Sequence, residues 1–531
     1  MADHDNSVGA ASSVGAVDAL DDSQHKKRHF RLSIILFNIL MCFGSLSFAY
    51  SGAVIGTTLG QPSFYEYMEL DKMADESGVI GATTSMYYVG GFFGAFFSHW
   101  VGDRYGRRIA IFGGALIVLL SAALCAGSVH IAMFIVFRLW SGFGAIMLST
   151  SVPLWIMECA PPEVRGAFAQ MHAVGVNLGF VLANYVGVGF FLHVNTNGSW
   201  RGPQAIGCIP CIPLMIAIWW IPESPRYLLL KDRTEEAWSI IKRLHSTPND
   251  TTHEFARREM YQMRKQLEID RALPSSWLEM WRRPSYRKRM AMAIFLGFSI
   301  QACGSQIIAI YGTTLYKNLG FSSEKQLLFQ AGTFAVNLPF TTSCVFYTEK
   351  FRRPTLISFG LVLLVGILSC YTGLTATYIG TDNRAGQSAA VAMIWIFLAT
   401  YSATVEGPFY YYSSEFFPTH LRAKGMTLQA TTFCWTSILW AQSAPTAIDN
   451  IGWHFFLIFI ILATFGAAVI YFYYPDTRGK TLEEIAALFG DDDLVAVYQR
   501  DIHLDHGTVV ADIVREKLDK EGTADNLEHA V

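Results

Sequence analysis

A carboxyl at Glu406, an imidazole at His172, amides at Gln301, Gln306 and Asn337, and phenols at Tyr311 and Tyr411 all fall inside long apolar runs. Polar groups are costly in such surroundings, so their presence points to function. An amide offers two N–H donors and one acceptor oxygen, which matches a hydroxyl that both donates and accepts. A tyrosine ring supplies a flat apolar wall with a polar edge. Together these groups suit reversible recognition of a small polyhydroxylated solute. For each amide the competing reading is a hydrogen bond between helices. For each tyrosine it is plain packing, because in the run Tyr410-Tyr411-Tyr412 only some rings can face inward. Glu406 precedes Gly407-Pro408 inside one run, where it can carry a coupling proton or serve as a structural partner of a backbone group or of His172. No nucleophile–base set, nucleotide loop or metal-ligand set stands out, so neither an enzyme nor a cofactor is expected.

The elements that must position these groups are membrane spans. Of 531 residues, 52% are hydrophobic and only 16% charged, against about 25% charged in an average soluble domain. The net charge of −3 gives no basic field for nucleic acid. Apolar runs near 34–57, 80–101, 109–127, 130–153, 167–192 and 203–221 precede a polar segment of about seventy residues. Six more follow near 291–316, 327–348, 355–378, 388–412, 426–447 and 453–474. The chain thus divides into a tail (1–31), a six-helix bundle (32–221), a helical linker (222–290), a second bundle (291–474) and a second tail (475–531). The polar first thirty residues read as a solvated tail rather than a cleavable leader. With both tails cytoplasmic, 34 of the 40 Lys and Arg fall inside and five outside, which fixes the orientation.

Nine cysteines fall mostly within the runs and read as small hydrophobes. Cys208 and Cys211 form a C-x-x-C with no further ligand nearby, so no metal is expected there. Gly90 and Gly94 form a G-x-x-x-G suited to close helix packing within a bundle. Asn197-Gly198-Ser199 is a glycosylation sequon in an outer loop, whereas Asn249-Asp250-Thr251 is cytoplasmic by this topology.

The two halves repeat. Glu158-x-x-Pro161-x-x-x-Arg165 recurs 257 residues later as Glu415-x-x-Pro418-x-x-x-Arg422. Pro222-Glu223-Ser224-Pro225-Arg226 recurs after 253 residues as Pro475-Asp476-Thr477-Arg478. Asp103-Arg104-Tyr105-Gly106-Arg107-Arg108 has the counterpart Glu349-Lys350-Phe351-Arg352-Arg353, which lacks the glycine of the tight reversal. Pairing Asp103, Glu158, Glu223, Glu415 or Asp476 with Arg107, Arg138, Arg165, Arg226 or Arg422 can latch the halves together at the cytoplasmic face. Each contact gives about 4 kcal/mol at an effective dielectric near 20, before desolvation. The competing reading is that the arginines only follow the inside-positive bias.

These motifs, with Arg138-x-x-x-Gly142-x-Gly144 and Trp277-Leu-Glu279, resemble those of the major facilitator superfamily, in particular its sugar-porter family and the fungal hexose and disaccharide permeases. The resemblance covers residues 30 to 490. It implies an all-α membrane protein of twelve helices in two pseudo-symmetric bundles, alternating access, and a substrate site near the bilayer midplane. It also marks where this chain departs. Ser51 stands where many proton-coupled porters have an acid, Ala173 with His172 beside it where they have glutamine, and Gln306 for asparagine. Tyr411 stands for tryptophan, Phe433 or Cys434 for asparagine, and His99 for glycine; Gln301 and Asn337 match.

The expected function is transport of a sugar or sugar-like solute across a plasma membrane, by proton symport or facilitated diffusion, by a monomer whose partners are the solute, protons and the lipid bilayer. Export of a small metabolite on the same scaffold and nutrient sensing without transport are the alternatives.

Overall fold

The computed structural model describes residues 32–160, 165–194, 196–245, 253–272, 276–347, 350–418, 421–478, 489, 502–505 and 508–511. The first five spans are single helices, Leu32–Leu59, Glu76–Tyr105, Arg107–Ala126, Ile131–Cys159 and Arg165–His193. The sixth is broken into Gly198–Ile206 and Cys211–Ala217. Its three prolines, Pro203, Pro210 and Pro213, each remove a backbone donor, which accounts for the breaks.

In the second half, the seventh span divides into Pro284–Gln301 and Ser305–Asn318 at Gly304, whose φ of 92° only glycine adopts without strain. Ser323–Tyr347 and Arg353–Tyr378 form the eighth and ninth spans. The tenth runs from Arg384–Tyr401 through a π-turn at Ser402–Glu406 into Gly407–Glu415. Arg422–Ile451 and Phe455–Tyr473 complete the set. Eight segments are long and apolar enough to cross a membrane by length and composition, one of which, Arg422–Tyr473, holds two spans. The second, sixth and eighth spans fall outside that set. The second is rich in glycine and hydroxyl residues, the sixth is broken, and the eighth carries Gln330, Thr333 and Asn337.

Between the halves lie the linker helices Pro225–Leu230, Thr234–His245, Glu254–Ala272 and Trp277–Arg282. Beyond the last span, Ile502–Asp505 pairs antiparallel with Thr508–Ala511, a short hairpin in a chain expected to be all helical. The first tail and the sequon at Asn249 lie outside the described residues.

Large apolar side chains such as Trp219 (73% exposed), Phe346 (75%) and Phe472 (77%) point outward, as a lipid-facing surface requires. Inside the first bundle the second and fourth spans touch at backbone distance. A Cβ on Gly90 would lie 1.8 Å from the Leu139 carbonyl oxygen and one on Gly94 2.3 Å from that of Phe143. The G-x-x-x-G therefore packs within the bundle. The halves meet along the second and eleventh spans and along the fifth and eighth. Gln442 of the eleventh accepts from Ser85 of the second (2.7 Å). Phe180 of the fifth stacks on Phe334 of the eighth, with centroids 4.8 Å apart. Away from the arginine-rich end, Thr313 donates to the Gly56 carbonyl of the first span (3.2 Å).

Candidate functional site

Two hydrogen-bonded sets cross between the halves at mid-span. In one, Gln306 opens the second helix of the seventh span and donates through Nε2 to the Tyr88 hydroxyl of the second span. The Tyr88 ring meets Phe433 of the eleventh span edge-on, 5.8 Å between centroids. In the other, Asn177 of the fifth span donates through Nδ2 to Glu406 Oε2 (3.2 Å) and accepts at Oδ1 from Asn337 Nδ2 of the eighth (2.6 Å). Ser402 also donates to Glu406 Oε2. The π-turn holds that carboxyl toward the other half. Turns of this kind recur at functional sites because the extra residue leaves backbone groups out of the regular ladder.

The structure places the expected site residues as follows. Gln301 ends the first helix of the seventh span, buried, with Oε1 bonded to no protein group. Asn337 Oδ1 is likewise buried without a partner. Both oxygens are available to a hydroxyl donor. Tyr311 is 1% exposed and donates to the Ala441 carbonyl (2.7 Å), a tie between the seventh and eleventh spans. His172 meets Ser45 of the first span through Nδ1 (2.7 Å), and Glu406 has Asn177 and Ser402 instead. The side chains of Tyr411 and Arg165 lie outside the described residues.

The charged groups at the arginine-rich end form one set in each half. Arg107 donates from Nε and Nη2 to the two oxygens of Glu158 (3.1 Å each) and from Nη1 to Asp103 (2.8 Å). The Glu223 carboxylate accepts from the backbone N–H groups of Arg107 (3.0 Å) and Arg108 (3.3 Å). Burial pushes its carboxyl up, against the opposing pull of those N–H donors. In the second half Arg353 pairs with Glu415 (3.1 Å) and Arg352 with Asp476 (3.1 Å), while Thr477 donates to Glu415 (2.6 Å). Each of these ion pairs lies inside one half. Among the ion pairs of the described residues, none joins one half to the other. Arg138 departs from the expected place. It is 1% exposed within the first bundle, donates to the Ser51 carbonyl (2.6 Å) and lies over the Tyr87 ring at 4.5 Å. Arg226 and Arg422 sit in the first turns of their helices.

The network also sets the register of the repeat. Arg353 does in the second half what Arg107 does in the first, which places Arg352 opposite Gly106. Gly106 has φ 106°, and a Cβ there would lie 2.3 Å from the Glu223 carboxylate. Arg352, with φ −63°, instead reaches the equivalent Asp476 through its side chain.

Tyr88 and Asn177 escaped the sequence reading. Asn177 has the same signal as Asn337, an amide inside an apolar run. Tyr88 has none beyond its neighbour Tyr87. Cys208 and Cys211 donate to the carbonyls of Leu119 and Gly207, and among the described residues no cluster of His, Cys, Asp or Glu is arranged to hold a metal ion.

Comparison with known proteins agrees with this architecture. A relative from Aspergillus cristatus, the MFS-type transporter criB, is 28% identical over 87% of this chain and 94% of its own length. The arabinose-proton symporter of Bacillus subtilis is 27% identical, covering 86% of this chain and 95% of the symporter. Among solved structures, the proton:xylose symporter XylE bound to 6-bromo-6-deoxy-D-glucose superposes with a TM-score of 0.74 at 21% identity, over 86% of this chain and 99% of XylE. That likeness shows the major facilitator fold, twelve helices in two pseudo-symmetric bundles. The family model "Sugar (and other) transporter" matches residues 37–489, so the chain belongs to that family and is a multi-pass membrane transporter rather than an enzyme.

Proposed function

We propose that the chain carries a sugar or closely related polyol by alternating access, with protons loading on Glu406. The carrying observation is that polar groups of both halves meet at mid-span in the sets Tyr88–Gln306 and Glu406–Asn177–Asn337, while Gln301 and Asn337 keep a buried carbonyl oxygen unbonded. Gln301, Gln306, Asn337 and His172 would hold the hydroxyls, and Tyr311 and Tyr411 would line the pocket. The arabinose-proton symporter among its relatives supports both the cargo class and the coupling ion. In this reading 32–221 and 291–474 move as two bodies joined by the 222–290 linker. Each is stiffened at its cytoplasmic end by its own set, Asp103, Arg107, Glu158 and Glu223 or Arg352, Arg353, Glu415 and Asp476.

The test is uptake of labelled glucose, lactose, cellobiose and xylose by cells lacking sugar uptake, with and without a protonophore. The wild-type chain is expected to accumulate at least one of them uphill, and the protonophore to abolish accumulation. Glu406→Gln should still admit that sugar but reach no more than equilibrium. Protonophore-sensitive accumulation by Glu406→Gln would sink the proton assignment. Failure of every sugar to enter would sink the cargo class.

The arginine-rich end faces the cytoplasm of a plasma-membrane protein that works as a monomer. In that orientation Asn197, exposed at the start of Gly198–Ile206, carries a glycan. Endoglycosidase treatment of protein from a eukaryotic host should then increase gel mobility, and Asn197→Gln should remove the shift.

A further inference from the structure

The Glu406 carboxylate is held from both halves at once, and the hold is directional. Asn177 Oδ1 is engaged by Asn337 Nδ2 (2.6 Å), and Asn177 Nδ2 serves both the Ala173 carbonyl (3.3 Å) and Glu406 (3.2 Å). Flipping the amide would set two donors against Asn337 and an oxygen against the carboxylate. Its N–H end is therefore fixed toward Glu406. On the other side Ser402 donates to the same oxygen, and the Tyr347 hydroxyl fastens the π-turn through the Ala403 carbonyl.

The elements packed around Glu406 bring few titratable groups. The fifth span has His172, engaged by Ser45, and the eighth has Cys344 and Tyr347. The tenth itself has Tyr401 before the π-turn and Tyr412 and Glu415 beyond it, and the ninth presents Gly360 against Thr404. Among the described ion pairs none involves Glu406.

We propose that Asn177 is the positioning residue through which the first half reads the charge on Glu406, an inference that rests on the proton-carrier role proposed above. An N–H donor bonds a carboxylate more strongly than a neutral carboxyl. Contact between the fifth and tenth spans is therefore tightest when Glu406 is ionised, and proton loading loosens it. By linkage, separation of the two spans favours the proton in equal measure. Asn337 acts one step further out by fixing which end of the Asn177 amide faces the acid.

The experiment reconstitutes the full chain in liposomes with an imposed proton gradient. It uses whichever of glucose, lactose, cellobiose and xylose the wild type accumulates, and it measures steady-state accumulation and counterflow in parallel. Asn177→Ala is expected to lower accumulation about tenfold, the worth of one hydrogen bond to a charged group, while counterflow falls less than threefold. The swap Asn177→Asp with Glu406→Gln exchanges the acid and the amide, keeping the bonds of position 177 to Asn337 and to position 406 and giving up only the donation to the Ala173 carbonyl. It should restore accumulation to within threefold of wild type, although Glu406→Gln alone does not. Wild-type accumulation by Asn177→Ala, or parallel loss of both readouts with no rescue by the swap, overturns the role of Asn177 and leaves Glu406 standing. Wild-type accumulation by Glu406→Gln alone removes the proton carrier, and this inference with it.

Discussion

Arg107→Ala is expected to leave little folded protein to extract from the membrane. The guanidinium is 4% exposed and bonds both oxygens of Glu158, Asp103 and the Gly102 carbonyl. Removing it strands the Glu158 carboxylate, itself 9% exposed, without its cation. Breaking one partner of a buried pair costs about 3–5 kcal/mol, a large part of the roughly 5–15 kcal/mol that keeps a domain folded. Arg107→Lys should fall between wild type and Ala, because an ammonium keeps the charge but cannot bond two carboxylate oxygens in a plane. The measurement is the fraction of detergent-extracted protein that stays monodisperse on heating. If Arg107→Ala retained the wild-type midpoint, the network would not be holding the second, third and fourth spans together.

The second large effect is at Gly142, and it needs no charge. A Cβ there would sit 1.7 Å from the Tyr87 carbonyl oxygen and 2.9 Å from its Cα. Both are backbone atoms, so no rotamer change relieves the clash and the second and fourth spans must part. Parting them also pulls Arg138 of the fourth span from the Tyr87 ring of the second. Overpacking that side chains can absorb costs about 1–3 kcal/mol. Gly142→Leu, which side chains cannot absorb, is expected to exceed that range and to abolish transport. Gly113→Leu is the matched control, because a Cβ at Gly113 meets nothing within 4 Å. The same heating measurement, with transport, should separate the two variants clearly. Equal stability of both would refute the close approach of the spans.

Much of the scaffold is visible in the sequence because membrane insertion leaves few solutions. Long apolar runs must be helices, the basic residues mark one side, and Gly106 marks a reversal that only a positive φ allows. Partnership is less visible. Asp103, Glu158, Glu223 and their counterparts lie at one end of the bundle with several arginines, and charge type alone does not choose among them. Geometry does, and it gives Glu415 to Arg353, a residue the sequence displays only if the repeat is aligned without a gap. The inward face of a span is also hard to read when nearly every position is apolar. Asn177 and Asn337 are both amides inside apolar runs, only Asn337 also matches the family pattern, and a 2.6 Å contact joins them. The π-turn at Ser402–Glu406 leaves no compositional trace, since the same residues fit an α-helix.

That turn has a torsional consequence. A residue added to a helix of 3.6 residues per turn rotates everything beyond it by about 100°. In the tenth span, Glu406 lies at the near end of the rotated stretch and Glu415, paired with Arg353, at the far end. One surplus residue thus sets the phase of both the group that meets the first bundle and the group that anchors the second, relative to Arg384–Tyr401. If the surplus moved along the chain, only the residues it passed would turn, by about 100°, while the two ends of the span kept their relative orientation.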